Sequence, residues 1–117
     1  MLATTESPID DLAAHAKLEA DGWGGRGGRV ITTFRPDNLV DLDWAGWRDR
    51  VATLGELTGQ DVGTYPGFLA ALRASREAFI AAGATSSDHG HPTAATAVLD
   101  DADAAVLYRK ALGGGTD

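Results

Sequence analysis

The sequence predicts an α/β fold in which a mainly parallel sheet is flanked by helices. Segments rich in β-branched residues alternate along the chain with longer segments whose apolar residues recur at helical spacing. Such alternation is typical of βαβ units. Polar residues also follow each predicted strand, and parallel sheets gather their functional side chains at those strand ends. The predicted order of elements is turn, helix, strand, helix, helix, strand, loop and helix.

The first half of the chain is predicted to hold one helix and one strand. In TTESPIDDLAAHAKLEA, Ser7 is expected to cap a helix with Pro8 at its first position and Asp10 at its third, because such side chains suit the free amides there. The glycine-rich stretch Asp21–Gly28 is interpreted as a linker. It leads into a strand, whereas phosphate-binding loops lead into a helix. The β-branched segment RVITTFRP, residues 29–36, is predicted to be that strand.

The second half is predicted to hold three helices and a short strand. A two-helix stretch at about residues 43–83 begins at a capping Asp43 and is divided by Gly59. The small residues ATSSD follow as a short strand, and Asp100 or Asp101 caps the last helix. Helical spacing predicts that the two-helix stretch buries the following apolar residues: Trp44, Trp47, Val51, Leu54, Leu57, Phe68, Leu69, Leu72, Phe79 and Ile80.

Composition and charge restrict the class of protein. The chain has 117 residues, 44% of them hydrophobic and 23% charged, which is ordinary for one globular unit. The net charge of −7 argues against a nucleic acid partner, which requires clustered Lys and Arg. The absence of cysteine excludes thiolate metal sites. No apolar run approaches the ~20 residues of a membrane span and no secretory signal pattern is visible, so a cytoplasmic protein without a membrane partner is expected.

Arg35 is the first candidate binding residue. It follows the predicted strand and precedes Pro36, which fixes the turn. A planar guanidinium can bind a carboxylate through two parallel hydrogen bonds, which a lysine cannot do as well. The alternative is a structural ion pair with Asp37, and the residue types alone leave both interpretations open.

The segment SSDHGHP, residues 86–92, holds the other candidates. Asp88 can act as a general base or accept a hydrogen bond from a sugar hydroxyl. The side chain of His89 can converge with it only if the chain turns at Gly90. His89 and His91 have the H-x-H spacing of some metal sites, but no further ligand pattern completes a set. A polar loop that contacts substrate is therefore favoured over a two-histidine metal site.

Three segments together resemble the uronate (glucuronate) isomerases, namely TTESPIDDLAAH, GRVITTFRPDNLVDLD and LGELTGQDVGTYPGFLAALRASREAFIAAGATSSDHGHPTA. The combination of T-T-x-x-P, T-F-R-P-D and S-D-H-G is much more specific than any one of these motifs. The family has an amidohydrolase-like (β/α)₈ barrel and interconverts glucuronate with fructuronate, and galacturonate with tagaturonate. The resemblance implies that residues 1–117 form a single segment of such a barrel.

The resemblance also assigns roles to three residues. Arg35 would hold the uronate, Asp88 would be a catalytic carboxylate, and His89 would contact the substrate. Two positions differ from the family pattern: Glu6 stands where Asp is more frequent, and Thr32 stands where Pro is frequent. The first difference leaves open whether the T-T-x-x-P turn keeps its contact with the active site.

Other parts of the family's site have no counterpart here. Family members are much longer and bind a divalent metal, expected to be zinc, through an amino-terminal H-x-H pair and a later Asp. Because a (β/α)₈ barrel takes ~250 residues, the chain is interpreted as an internal slice that binds no cofactor and is inactive alone. The alternative is a non-catalytic α/β module that binds a partner, or associates with itself, through exposed helix faces and sheet edges.

Overall fold

A computed structural model describes residues 1–23 and 28–114 as a mixed α/β fold. Residues 24–27 of the predicted linker lie outside the described residues. The described part forms a two-stranded parallel sheet with helices packed against it, as expected at that level of detail. The elements in chain order are β1 (Leu2–Glu6), α1 (Ala13–Ala20), β2 (Val30–Phe34), α2 (Asp37–Val40), α3 (Trp47–Thr58), α4 (Tyr65–Ala81) and α5 (Asp101–Leu112).

The sheet brings the ends of two strands and one bridged residue to the same edge. Strand β1 pairs in parallel with β2, with Leu2 opposite Val30 and Glu6 opposite Phe34. On its other side, Phe34 makes a single parallel bridge to Ser87. The prediction of a strand in ATSSD is therefore wrong in extent, although its parallel direction is right. Its small polar residues form one bridge instead of a continuous ladder.

The prediction of an initial turn is wrong, because β1 occupies Leu2–Glu6. Its two central threonines are β-branched and suit a pleated strand. The predicted start of α1 is also wrong. The hydroxyl of Ser7 donates to Asn38 Oδ1 at 2.9 Å instead of capping a helix. Leu12 adopts a left-handed φ of 57°, and the helix begins only after it, at Ala13.

The prediction that Asp43 caps a helix is wrong as well. A short helix, α2, starts directly after Pro36, and α3 starts at Trp47. Between them Gly46 has a φ of 76°, a conformation that glycine adopts readily and that separates Asp43 from the helix. Trp44 is consequently exposed, whereas Trp47 is buried. The end of α3 at Gly59, with φ 67°, agrees with the prediction.

The main core lies among the helices. Thr64 caps α4 by accepting a hydrogen bond from the Gly67 amide at 3.1 Å, and Asp100 caps α5 as predicted. Of the residues expected to be buried, Leu57 and Ile80 are half or more exposed, while Leu69 and Leu72 are partly buried. The buried members of the main core are Leu39, Trp47, Val51, Leu54, Phe68, Ala71 and Tyr108.

A smaller core supports the sheet. Leu12, Phe34 and Phe79 pack together, and the two phenylalanine rings meet edge to face with 5.2 Å between their centroids. This contact anchors the last residue of β2 on α4, so the position of the strand end is fixed by apolar packing. Among the described helices, none is long and apolar enough to cross a bilayer.

Candidate active site

Backbone hydrogen bonds place Arg35 and Asp88 at the same edge of the sheet. The amide of Arg35 donates to the carbonyl of Glu6 at 3.0 Å, and the amide of Asp88 donates to the carbonyl of Phe34 at 2.9 Å. Arg35 therefore directly follows the end of β2, and Asp88 directly follows the bridged residue Ser87. Their predicted location at one edge is confirmed, because the ends of parallel strands share an edge.

The guanidinium of Arg35 contacts two carboxylates. Its Nε lies 2.9 Å from Asp37 Oδ2, and its Nη1 lies 3.4 Å from Asp88 Oδ2. The hydrogen bond and the charge of Asp37, followed by the charge of Asp88, raise the pKa of Arg35. The side chain is nevertheless 46% exposed. The structural ion pair with Asp37 thus exists and leaves Arg35 accessible to a ligand.

Asp37 connects the two candidate loops. Its Oδ2 atom accepts hydrogen bonds from Arg35 Nε and from the amide of Gly90, each at 2.9 Å. Burial acts to raise the pKa of Asp37, but the bonds from Arg35 and Gly90 and the charge of Arg35 outweigh it and lower that pKa. Asp37 was considered from the sequence only as a partner of Arg35. The spacing of the motif F-R-P-D gives no sign of the contact with Gly90, which lies 53 positions away.

The two histidines of the loop stand side by side. The rings of His89 and His91 are nearly parallel, with centroids 6.2 Å apart, and both residues are exposed. Across residues 1–23 and 28–114, no three His, Cys, Asp or Glu side chains are grouped closely enough to hold a metal ion. The two histidines therefore lie on the exposed surface of the loop, where their ring nitrogens can donate or accept hydrogen bonds.

Glu6 contributes to the edge through its backbone, while its side chain is engaged elsewhere. The hydroxyl of Thr32 donates to Glu6 Oε2, and His15 Nε2 lies 3.7 Å from Oε1. The same His15 nitrogen is 2.7 Å from the hydroxyl of Thr4. The carboxylate is 15% exposed. Among the described contacts, the partners of this carboxylate thus belong to β2 and α1, and the Glu6 carbonyl is the atom that binds the Arg35 amide.

A cleft of about 660 Å³ lies between α1, the start of β2 and the end of α4. Its wall includes Leu12, Trp23 and Gly83 but neither Arg35 nor Asp88. Its lining also holds Asp11, His15, Glu19 and Arg29, but at the sheet edge the Arg35 guanidinium lies within 3.4 Å of two carboxylates, those of Asp37 and Asp88. The charged edge of the sheet is therefore the better candidate.

Comparison with known proteins agrees with the motifs. The sequence model of the family described as glucuronate isomerase matches residues 1–116. The chain is 60% identical over 115 residues to a uronate isomerase of Rhizorhabdus wittichii, covering 98% of this chain and 24% of that protein. It is 54% identical over 112 residues to a uronate isomerase of Phenylobacterium zucineum, covering 96% of this chain and 23% of that protein.

Solved structures give the same result. The crystal structure of a uronate isomerase from Thermotoga maritima has a TM-score of 0.89 and 34% identity, covering 97% of this chain and 24% of that one. The glucuronate isomerase from Caulobacter crescentus has a TM-score of 0.88 and 46% identity, covering 97% and 23%. The chain thus spans about a quarter of the length of these relatives. With nearly all of its residues matched, the chain belongs to the glucuronate isomerase family.

Proposed function

We propose that the complete protein containing this chain is an aldose–ketose isomerase acting on uronates. It would interconvert glucuronate with fructuronate, and galacturonate with tagaturonate. Family membership and the names of the relatives support this reaction. The observation that carries the proposal is the exposed guanidinium of Arg35, 3.4 Å from the carboxylate of Asp88 at one edge of the sheet. That edge offers a carboxylate anchor beside an acid/base group.

The chain would form one segment of a (β/α)₈ barrel in the complete protein. Helix α1 follows β1 and leads to the parallel β2, which is one βα repeat, and the two-helix stretch α3–α4 leads to the parallel bridge at Ser87. The outer edge of β1 would pair with a strand supplied by the rest of the protein, since closure of the barrel satisfies strand edges. Isolated from that partner, the edge would favour self-association.

Arg35 would bind the substrate carboxylate. Two terminal guanidinium nitrogens match two carboxylate oxygens in a fork, which gives both charge and direction. A guanidinium is cationic at any working pH, and the neighbouring Asp37 and Asp88 raise the pKa of Arg35 further. His89, exposed on the adjacent loop, would donate a hydrogen bond to a substrate hydroxyl.

Asp88 would act as the acid/base group. Isomerisation removes a proton from C2 of the aldose and returns one to C1, so a carboxylate that accepts and then donates a proton suits both steps. Its side chain is 51% exposed and can therefore meet a substrate. Arg35 Nη1, 3.4 Å from Asp88 Oδ2, would hold this carboxylate beside the bound substrate.

A divalent metal, with zinc as the proposed ion, belongs to the complete enzyme in this proposal. The described residues do not fit such an ion, because no three suitable donors are grouped. The ligands would come from the remainder of the protein. The ion would polarise a substrate oxygen, and the proton would be moved by Asp88.

The test is turnover by the complete protein. We expect glucuronate and galacturonate to be isomerised, and glucose, which lacks the carboxylate, to be a much poorer substrate. Treatment with a chelator should abolish turnover, and zinc should restore it. Equal activity on glucose would contradict the role of Arg35, and absence of turnover on both uronates would contradict the proposed function.

A further inference from the structure

One carboxylate oxygen lies at the centre of the candidate site. Asp37 Oδ2 binds the Arg35 side chain and the Gly90 backbone amide at the same distance, 2.9 Å. The side chain of Asp37 is only 14% exposed. Asp37 is the first residue of α2, which starts directly after Arg35 and Pro36. Its short side chain therefore holds this oxygen between the two loops.

The contact with Arg35 is made through Nε, the nitrogen closest to the chain. A bond at Nε fixes the plane of the guanidinium and leaves Nη1 and Nη2 as the outward pair. Nη1 is 3.4 Å from Asp88 Oδ2, an ion-pair separation longer than the usual hydrogen bond. The terminal nitrogens carry the remaining N–H groups, from which an end-on fork to a carboxylate can form.

Gly90 fixes Asp37 in turn. Its amide donates to Oδ2, and a Cβ at this position would lie 3.0 Å from both Arg35 Nη2 and Asp37 Oδ2. That separation is shorter than ordinary van der Waals contact, so a larger residue at position 90 would displace one of these two side chains by a few tenths of an ångström. The Gly90 backbone thus packs directly against the guanidinium and its partner.

We propose that Asp37 is a positioning residue that orients Arg35 for the carboxylate of a sugar-acid substrate. This inference rests on the proposed function of the site. Asp37 does not touch the substrate. It acts by holding Arg35 through Nε while Gly90 holds its own carboxylate, so the fork of Arg35 is set before the substrate arrives. Such prior orientation lowers the ordering cost of binding.

A double-mutant cycle in the complete protein tests this role. Asp37→Asn keeps an acceptor oxygen but loses the charge that strengthens the bond. We expect it to lower kcat/KM for glucuronate on the order of ten-fold, mainly by raising KM. The Arg35→Lys background has no Nε–H for Asp37 to hold. There the same change should lower kcat/KM less than about two-fold. The matched control is Asp41→Asn, also near α2, because the Asp41 carboxylate binds the amide of Asp43; it should leave KM unchanged.

The outcomes separate the inference from the function. If the parent protein turns over uronates and the loss from Asp37→Asn is equal in both backgrounds, Asp37 does not act through Arg35 and the inference is wrong. If the parent turns over neither uronate, the proposed function fails and the inference fails with it. Should Asp37→Asn not fold, as judged by circular dichroism, Asp37→Glu replaces it. Glu retains the charge but displaces it by a methylene, and its loss should likewise depend on Arg35.

Discussion

The hydroxyl of Thr32 donates a hydrogen bond to the carboxylate of Glu6. These are the two positions at which the chain differs from the pattern of the family it resembles, and the structure places them in contact across β1 and β2. Thr32 is fully buried. A proline at position 32 would have no hydroxyl to donate. The glutamate at position 6 and the threonine at position 32 are therefore chemically matched.

Removal of this hydroxyl should destabilise the sheet. Thr32→Val keeps the shape of the side chain but leaves the Glu6 carboxylate without its hydroxyl donor. The free energy of unfolding should fall by about 1–3 kcal/mol, the usual cost of losing a partner for a poorly solvated polar group. Urea denaturation measures this change. The control is Thr53→Val on the exposed face of α3, where the hydroxyl binds only a helical carbonyl; an equal loss in both variants would contradict the role of Thr32.

Arg35→Lys should impair catalysis more than stability. Lysine keeps the charge but cannot form the fork, so kcat/KM for glucuronate should drop roughly ten- to a thousand-fold. The melting temperature should change little, because residue 35 is 46% exposed at a strand end. Steady-state kinetics of the complete protein measures this drop. The control is Arg73→Lys, at an exposed position of α4. Parental kinetics in Arg35→Lys would reduce Arg35 to a structural partner of Asp37.

Asp88→Asn should slow turnover without removing metal. The amide keeps the shape but cannot accept and return a proton, so kcat should fall by about 10²–10⁴. Metal content of the purified complete protein, measured by mass spectrometry, should equal that of the parent. Asp11→Asn is a suitable control because that exposed carboxylate binds only the amide of Ala13. Loss of metal together with activity would instead favour a metal site in the loop of His89 and His91.

Tyr108 should make stability sensitive to high pH. Its hydroxyl donates to the carbonyl of Val62 in the main core, and burial, followed by the negative charge of Asp61, raises its pKa to about 12. The unfolded tyrosine ionises near its ordinary value of about 10. Between these values the unfolded state binds fewer protons, so this group's contribution is complete below pH 10 and is lost as pH rises towards 12.

The comparison variant for this effect is Tyr108→Phe. At neutral pH it should be less stable than the parent by about 0.5–1.5 kcal/mol, since it leaves the Val62 carbonyl without this donor. Denaturation curves at a series of pH values should show the difference between parent and variant shrinking above pH 10. A difference that stays constant up to pH 12 would contradict the raised pKa.

The isolated 117-residue chain should lack isomerase activity and self-associate. It spans about a quarter of the length of its relatives, and groups that act together in catalysis lose nearly all activity when separated. The outer edge of β1 and exposed apolar residues such as Leu2, Ile80 and Val106 would then be open to a second copy. Sedimentation over a concentration series and a uronate assay with added zinc measure both properties. A monomer with metal-dependent turnover would contradict this prediction.

Periodicity predicted the parts of the fold that depend on local sequence. The strand β2, the end of α3 at Gly59, the end of α4 before Gly83 and the cap of α5 all follow from β-branched runs, glycines and a capping Asp. The start of α1 could not be predicted in this way. Ser7 has a capping sequence, but its hydroxyl binds Asn38 of helix α2, 31 positions along the chain. A local signal is overridden there by a tertiary contact.

The candidate site shows the same division. Strand-end logic predicted that Arg35 and Asp88 share an edge, because parallel strands require it. The bridging role of Asp37 could not be predicted from the sequence, because it depends on a backbone amide 53 positions away. From the sequence, Glu6 was noted only as a difference from the family pattern at the T-T-x-x-P turn. Its engagement by Thr32 and His15 follows from the register of β1 on β2 and the packing of α1, which the sequence does not state.

Phe34 joins these parts through its backbone. Its carbonyl accepts from the Asp88 amide at 2.9 Å, and the next amide along, that of Arg35, donates to Glu6 at 3.0 Å. The Phe34 ring is at the same time held against Phe79. Any opening that releases one loop must therefore strain the strand end that carries the other. Amide hydrogen exchange at Arg35 and Asp88 should consequently proceed through one cooperative opening, with similar protection factors at the two positions.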